Sequence, residues 1–151
     1  MTKKLMALAI AATLGAGISA QALAQAKPET LVKQRQSAMV LQAKYLGPIG
    51  AMLKGNAPYN ADIVARNATF LENLARMPWD GFDPSTKGEK SKAKPAVFDD
   101  SAKFKQAYEQ LEEATAKLGA AARAKDEAGV KAAFGPVAKA CGGCHDNFRE
   151  K

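Results

Sequence analysis

One histidine, two cysteines and one tryptophan are all that the 151 residues contain of these types. A structural zinc centre draws about four ligands from cysteine and histidine, so these residues alone cannot build one. A disulfide between Cys141 and Cys144 would leave the adjacent His145 without a role. A thioredoxin-like dithiol belongs beside a strand–helix–strand pattern, and no strand-type alternation runs through the chain. The N-terminal apolar run, Leu5 to Ile18, is shorter than the roughly 20 residues a membrane span needs. The formal charge is +7, yet there is no dense Lys/Arg block and no basic–aromatic interleaving, which argues against nucleic acid. No internal repeat or low-complexity tract is present.

What the chain does have is Cys141-Gly142-Gly143-Cys144-His145. C-x-x-C-H is the attachment pattern of a c-type haem. Each sulfur adds to one haem vinyl group, and the following imidazole bonds the iron. Positions 141, 144 and 145 share one side of a helix, so one haem edge can take all three bonds. The competing reading is a small helical protein with a redox-active or inert C-x-x-C. A haem-sized mass increase that survives denaturation separates the two.

Residues 1–24 read as an export signal. Lys3 and Lys4 precede the short apolar run, and Ala22-Leu23-Ala24 is a small-residue cleavage site. Cleavage there leaves residues 25–151, a length that suits one domain, with 20 basic and 15 acidic side chains. Export also keeps the cysteines available as thiols until haem is added outside the cytoplasm, so a periplasmic location is expected.

Four segments carry helical periodicity. The first, about Pro28 to Lys54, places Val32, Gln36, Met39, Ala43, Leu46, Gly50 and Leu53 on one face. Gly47-Pro48 is expected to kink or interrupt it. The second, about Asn60 to Arg76, aligns Ile63, Asn67, Phe70, Leu74 and Met77. Residues 78–98, rich in proline, glycine and lysine, read as a long connection in which Trp79 and Phe82 either pack locally or cap the core beside a cofactor. The third, from Asp100 or Ser101 to Lys125, aligns Phe104, Tyr108, Leu111, Thr115, Leu118 and Ala122. The fourth, after the N-cap Asp126, aligns Val130, Phe134, Val137, Cys141, Cys144 and Phe148, with Pro136 expected to kink it. The expected fold is all-α, an antiparallel up-down-up-down four-helix bundle with haem inside near its C-terminal helix. A second apolar stripe on the first helix, Leu31, Ala38, Leu41, Tyr45 and Met52, predicts a homodimer through that helix.

The C-terminal C-x-x-C-H on the last helix, together with Arg35-Gln36-Ser37-Ala38-Met39, Pro78-Trp79 with Phe82, and Arg149, resembles the cytochrome c′ family. The likeness runs from Lys27-Pro28-Glu29 to Arg149. It implies one covalent haem c on Cys141 and Cys144, with His145 as the metal ligand and no protein ligand on the other face. Met39 would cover that face, where nitric oxide and carbon monoxide enter. Arg35 and Gln36 match positions that contact haem propionates, and Arg149 matches a basic residue near the proximal histidine. The family is often a homodimer through its first two helices. On spacing alone Arg35 is a solvated charge beside the stripe, whereas Gln36 on the stripe needs a partner for its amide. Glu89, Ser91 and Lys92 lie within reach of a propionate in sequence terms and are left unassigned.

Met39 divides two mechanisms. Unbound, it shields a five-coordinate, gas-binding iron that is also competent for electron transfer. Bound as sixth ligand, as in proteins resembling cytochrome c556, it makes a low-spin electron carrier. An enzyme acting on nitric oxide or peroxide ranks lower, because the sequence offers no distal histidine and no acid–base pair, so no catalytic residue is assigned. The redox partners are not named by the sequence.

Overall fold

The computed structural model describes residues 26–151. The expected export segment lies outside the described residues. Helix α1 spans Pro28–Leu53, α2 Ala61–Leu74, α3 Ala96–Asp99, α4 Ser101–Arg123 and α5 Glu127–Phe148. Among the described residues there is no β-strand, only an isolated antiparallel bridge between Ala93 and Arg149. The four long helices form the antiparallel bundle, with α4 on α5, α1 on α2 and α2 on α4 as the main packed pairs.

Local chemistry sets the ends. Pro28 stands in the first turn of α1, where its missing N–H costs nothing, and Glu29 faces the positive helix start. The Asn60 side chain accepts from the Asp62 and Ile63 amides, each at 3.0 Å, and opens α2. Asp100 accepts from Lys103 at 3.3 Å and Asp126 from Gly129 at 3.0 Å, capping α4 and α5. The tight α4–α5 turn carries Lys125 at φ 54°, in the left-handed region.

Several expectations are corrected. Neither Pro48 nor Pro136 ends its helix: α1 and α5 run through them. Each proline forfeits one backbone bond, and the burial of Ile49 beside the first and Val137 beside the second offsets that loss, so neither helix is interrupted. The connection from 78 to 98 is partly ordered into 3-10 turns at Asp80–Phe82 and Pro84–Thr86, and then into α3. On α2 the inward face is Val64, Asn67, Ala68 and Leu71, while Phe70 is 43% exposed; Met77, beyond its end, is 58% exposed. On α1 the buried residues are Val32, Arg35, Ala38, Gln42, Ile49 and Gly50, so Gln36 and Ala43 do not belong to the core. Most of the second stripe is also spent inside the chain: Ala38 is buried, and Tyr45 and Met52 pack on the main core.

The core has two layers. An aliphatic layer, including Ile49, Val64, Leu71, Leu111, Leu118, Val130 and Val137, fills the bundle. An aromatic layer around Val97, Phe104 and Phe148, with Trp79, Phe82 and Tyr108 against it, fills the end where α1 begins and α5 finishes. Near the opposite end, α1 and α5 come close. A Cβ on Gly50 would meet Phe134 Cζ at 2.8 Å, so glycine permits that approach. Leu118 sits at 0% exposure in the aliphatic layer. Leu118→Ala should cost about 2–5 kcal/mol in urea unfolding, against about 1 kcal/mol for removing the Asp126 cap with Ala.

Candidate functional site

Away from the Gly50 crossing, α1 and α5 diverge, and the space between them is a cavity of about 560 Å³. Cofactor and ligand sites generally occupy roughly 300–1,000 Å³. One wall is α1, with Arg35, Gln36, Met39, Val40 and Ala43. The other is the end of α5, with Cys144, His145 and Phe148, followed by Arg149. The 78–98 connection and α4 complete it with Trp79, Phe82, Ser91, Lys92, Ala93 and Phe104. Six of the seven sequence-assigned residues, Arg35, Gln36, Met39, Cys144, His145 and Arg149, therefore converge on one space. Cys141 is not on its lining; it is half-buried one turn earlier on α5, against the aliphatic layer.

The aromatic wall is built from interlocking rings. Trp79 stacks on Tyr108 at 4.8 Å and 13°, and Phe104 meets Phe82 at 4.8 Å and Phe148 at 5.2 Å edge-on. Such pairs fix ring orientation as well as burying area. Trp79 and Phe82 do both things the sequence left open: they pack against neighbouring rings and they border the cavity.

Arg35 departs most from what its spacing alone suggests. It is 3% exposed, not solvated. Its Nη1 donates to the Gly81 carbonyl at 2.7 Å and to Thr86 Oγ1 at 3.0 Å, and its Nη2 donates to Ser91 Oγ at 3.1 Å. The guanidinium also lies over the Phe82 ring, 4.3 Å from its centroid. Burial lowers its pKa, but a guanidinium stays charged at any ordinary pH. Among the described residues no carboxylate pairs with it. A buried cation without an anion costs several kcal/mol, so this wall is suited to an anionic ligand group. Gln36 is exposed along the same wall, and its amide has no partner in the core to satisfy.

At the α5 wall, burial raises the Cys141 thiol pKa and, with the charge of Cys141 added, pushes Cys144 up to about 11. Both sulfurs are neutral thiols at physiological pH. His145 is shifted down, chiefly by desolvation and then by the positive Arg149, with Asp146 opposing. The neutral imidazole thus dominates near pH 7, the form that bonds a metal. The end of α5 is tied to the connection: Lys94 N donates to the Phe148 carbonyl at 2.9 Å, and Glu150 N to the Lys92 carbonyl at 2.8 Å. Ser91 and Lys92 border the cavity, whereas Glu89 does not. Thr86 and Gly81, the anchors of Arg35, carry no sequence signal, because they lie 51 and 46 positions away in a loop.

The residues present fit a haem. An apolar, aromatic-walled space offers a neutral imidazole and thiol on one side and a buried cation for carboxylates on the other. A second groove of about 860 Å³ runs between α4 and α5 past Ala107, Ala114 and Ala140, but it borders neither His145 nor Arg35.

Comparison with known proteins gives the same picture. The family model described as Cytochrome C′ matches residues 30–149. A cytochrome c′ of Rubrivivax gelatinosus is 43% identical over 126 residues, covering 83% of this chain and 98% of that protein. The nitric oxide complex of a leucine-to-alanine variant of cytochrome c prime from Alcaligenes xylosoxidans superposes with a TM-score of 0.78 at 42% identity, covering 84% of this chain and 98% of that one. A carbon monoxide-bound leucine-to-glycine variant of the Alcaligenes protein gives a TM-score of 0.78 at 42% identity, covering 83% and 98%.

In protein prepared without haem, the raised thiol pKa has a direct consequence. The thiolate is the reactive form, so alkylation of Cys144 by iodoacetamide at pH 8 should run about two orders of magnitude slower than that of a free cysteine peptide. It should accelerate with each pH unit toward 11; a rate that is flat above pH 8.5 contradicts the shift.

Proposed function

The chain belongs to the cytochrome c′ family, and on that premise we propose that it is an exported gas-binding haem protein whose iron is held by His145 alone. The family carries covalent haem c. In this reading residues 1–24 direct export to the periplasm, and residues 25–151 form the haem domain. Cys141 and Cys144 make the two thioethers. When bound, the haem supplies the gas-binding and one-electron chemistry.

The observation that carries the reading is that Met39 from α1 and His145 from α5 border the same cavity from different walls. His145 is neutral and available as a ligand, while Arg149, one turn beyond it, disfavours its protonation. Met39, half-buried between Ala38 and Val40, covers the other face, one turn along α1 from the Arg35 that holds the propionates. Arg35 and Gln36 hold the propionates. No second imidazole and no carboxylic acid border the space among the described residues. That supports reversible binding of nitric oxide or carbon monoxide, together with electron transfer, over turnover of peroxide, which needs proton donors and acceptors at the reacting atoms.

The second reading, a six-coordinate electron carrier with Met39 as sixth ligand, is supported by the same placement, since Met39 borders the cavity from the wall opposite His145. Optical and spin-resonance spectra of the holoprotein, with and without nitric oxide, decide between them. The expected result is a high- or mixed-spin resting iron that takes up the gas readily and is unchanged in Met39→Leu. A low-spin resting iron that Met39→Leu converts to high spin establishes the six-coordinate electron carrier instead.

The homodimer is also part of this proposal. Its support shifts from the full α1 stripe to the residues that stay exposed on α1 and α2: Leu41 at 38% and Phe70 at 43%, with Tyr45 packed 4.9 Å from the Phe70 ring. Phe70→Lys should leave the unfolding transition within about 0.5 kcal/mol of the parent and convert a dimer mass in sedimentation to a monomer mass. A parent that is monomeric at every concentration removes the dimer.

A further inference from the structure

Thr86 lies outside the cavity lining and cannot touch a group bound there. It is nonetheless 1% exposed, a buried polar residue in a loop. Its place is fixed twice over: Thr86 N donates to the Asp83 carbonyl at 2.8 Å, and its hydroxyl donates to the same carbonyl at 2.7 Å. The turn that holds it opens with Asp83, whose carboxylate accepts from Ser85 N at 2.8 Å. A hydroxyl has one proton. With that proton given to Asp83, the Thr86 oxygen can only accept from Arg35, which it does from Nη1 at 3.0 Å.

The guanidinium has five N–H groups. Gly81 and Thr86 take the two on Nη1, and Ser91 takes one on Nη2. The Nε–H and one Nη2–H remain. Gly81 reinforces the arrangement, because a Cβ there would meet the Leu31 carbonyl at 3.0 Å and Arg35 Cβ at 3.1 Å, so its backbone lies directly on α1. Phe82 closes one face of the guanidinium plane.

We propose that Thr86 is a positioning residue for the haem: its hydroxyl sets the rotation of the Arg35 guanidinium, turning the two remaining N–H groups to the propionates. The proposal rests on the haem reading above. The cation acts through its orientation, and Thr86 supplies that orientation from behind the wall. A valine keeps the shape and loses the acceptor; a serine keeps the acceptor and loses a methyl.

The test is the reduction potential of purified holoprotein in the parent, Thr86→Val and Thr86→Ser. A cation aligned with the propionates favours the reduced iron, which carries one less positive charge. Thr86→Val should therefore shift the one-electron equilibrium at least about threefold toward the oxidised form, a tenfold change being about 59 mV. Thr86→Ser should retain the parent potential. A parent potential in Thr86→Val, or an equal fall in Thr86→Ser, overturns the proposal. If Thr86→Val does not accumulate as holoprotein, Thr86→Ala removes the same acceptor with a smaller side chain, and an unchanged potential there overturns the proposal equally. Failure of the underlying haem reading is distinct: the parent itself would then lack a haem-sized mass after denaturation.

Discussion

A buried guanidinium with no internal carboxylate is the interaction on which the cavity depends. Arg35 satisfies three of its donors with a carbonyl and two hydroxyls, all from one connecting loop. Those bonds dock the loop on α1 and carry Trp79, Phe82 and Ser91 into the cavity wall. The same loop then pairs with the tail beyond α5 through Lys92 and Lys94, beside His145. Two helices that diverge across the cavity are thereby held through a third segment. The wall that bears Met39 and the wall that bears His145 keep their spacing without touching each other there.

Such a cavity conflicts with ordinary bundle packing, in which facing helices close on one another. The chain resolves the conflict by dividing its interior. Aliphatic side chains fill the region where the helices meet, and Gly50 lets α1 approach Phe134 closely. Rings take over where the helices separate, since a rigid aromatic plate can span a wider gap than a valine. The edge-on contacts of Phe104 with Phe82 and Phe148 brace that wall from α4, the connection and α5 together.

The division also explains what could be read from the sequence. Helix existence and most ends were legible, because Pro28, Asn60, Asp100 and Asp126 act through neighbours two or three positions away. The C-x-x-C-H group was legible for the same reason. Helix faces were less so. On α1 a cavity wall and a core face lie side by side, so Gln36, Met39 and Ala43 kept the spacing of a core stripe while bordering the cavity. On α2 the small residue Ala68 is buried, as is Ala75 just past its end, and Phe70 is not, so periodicity weighted by side-chain size points the wrong way. On spacing alone Arg35 looks like a surface charge, because its partners are 46 to 56 positions distant. No local pattern announces a hydroxyl that will meet it.

The donor set of the site limits the chemistry it can support. Cys144 is held as a neutral thiol by burial, which disfavours its use as a thiolate ligand and leaves it suited to a covalent thioether. His145 is kept neutral, so a metal at that nitrogen need not compete with a proton near pH 7. The opposite wall provides the Met39 thioether and aliphatic groups, with Arg35 and Gln36 beside them. The charges that line the cavity are Arg35, buried in the wall, and the exposed Lys92 and Arg149, all of them positive. A site of this kind can attract the carboxylates of its cofactor and accept a neutral diatomic gas. Among the described residues, no carboxylic acid and no imidazole besides His145 borders the cavity.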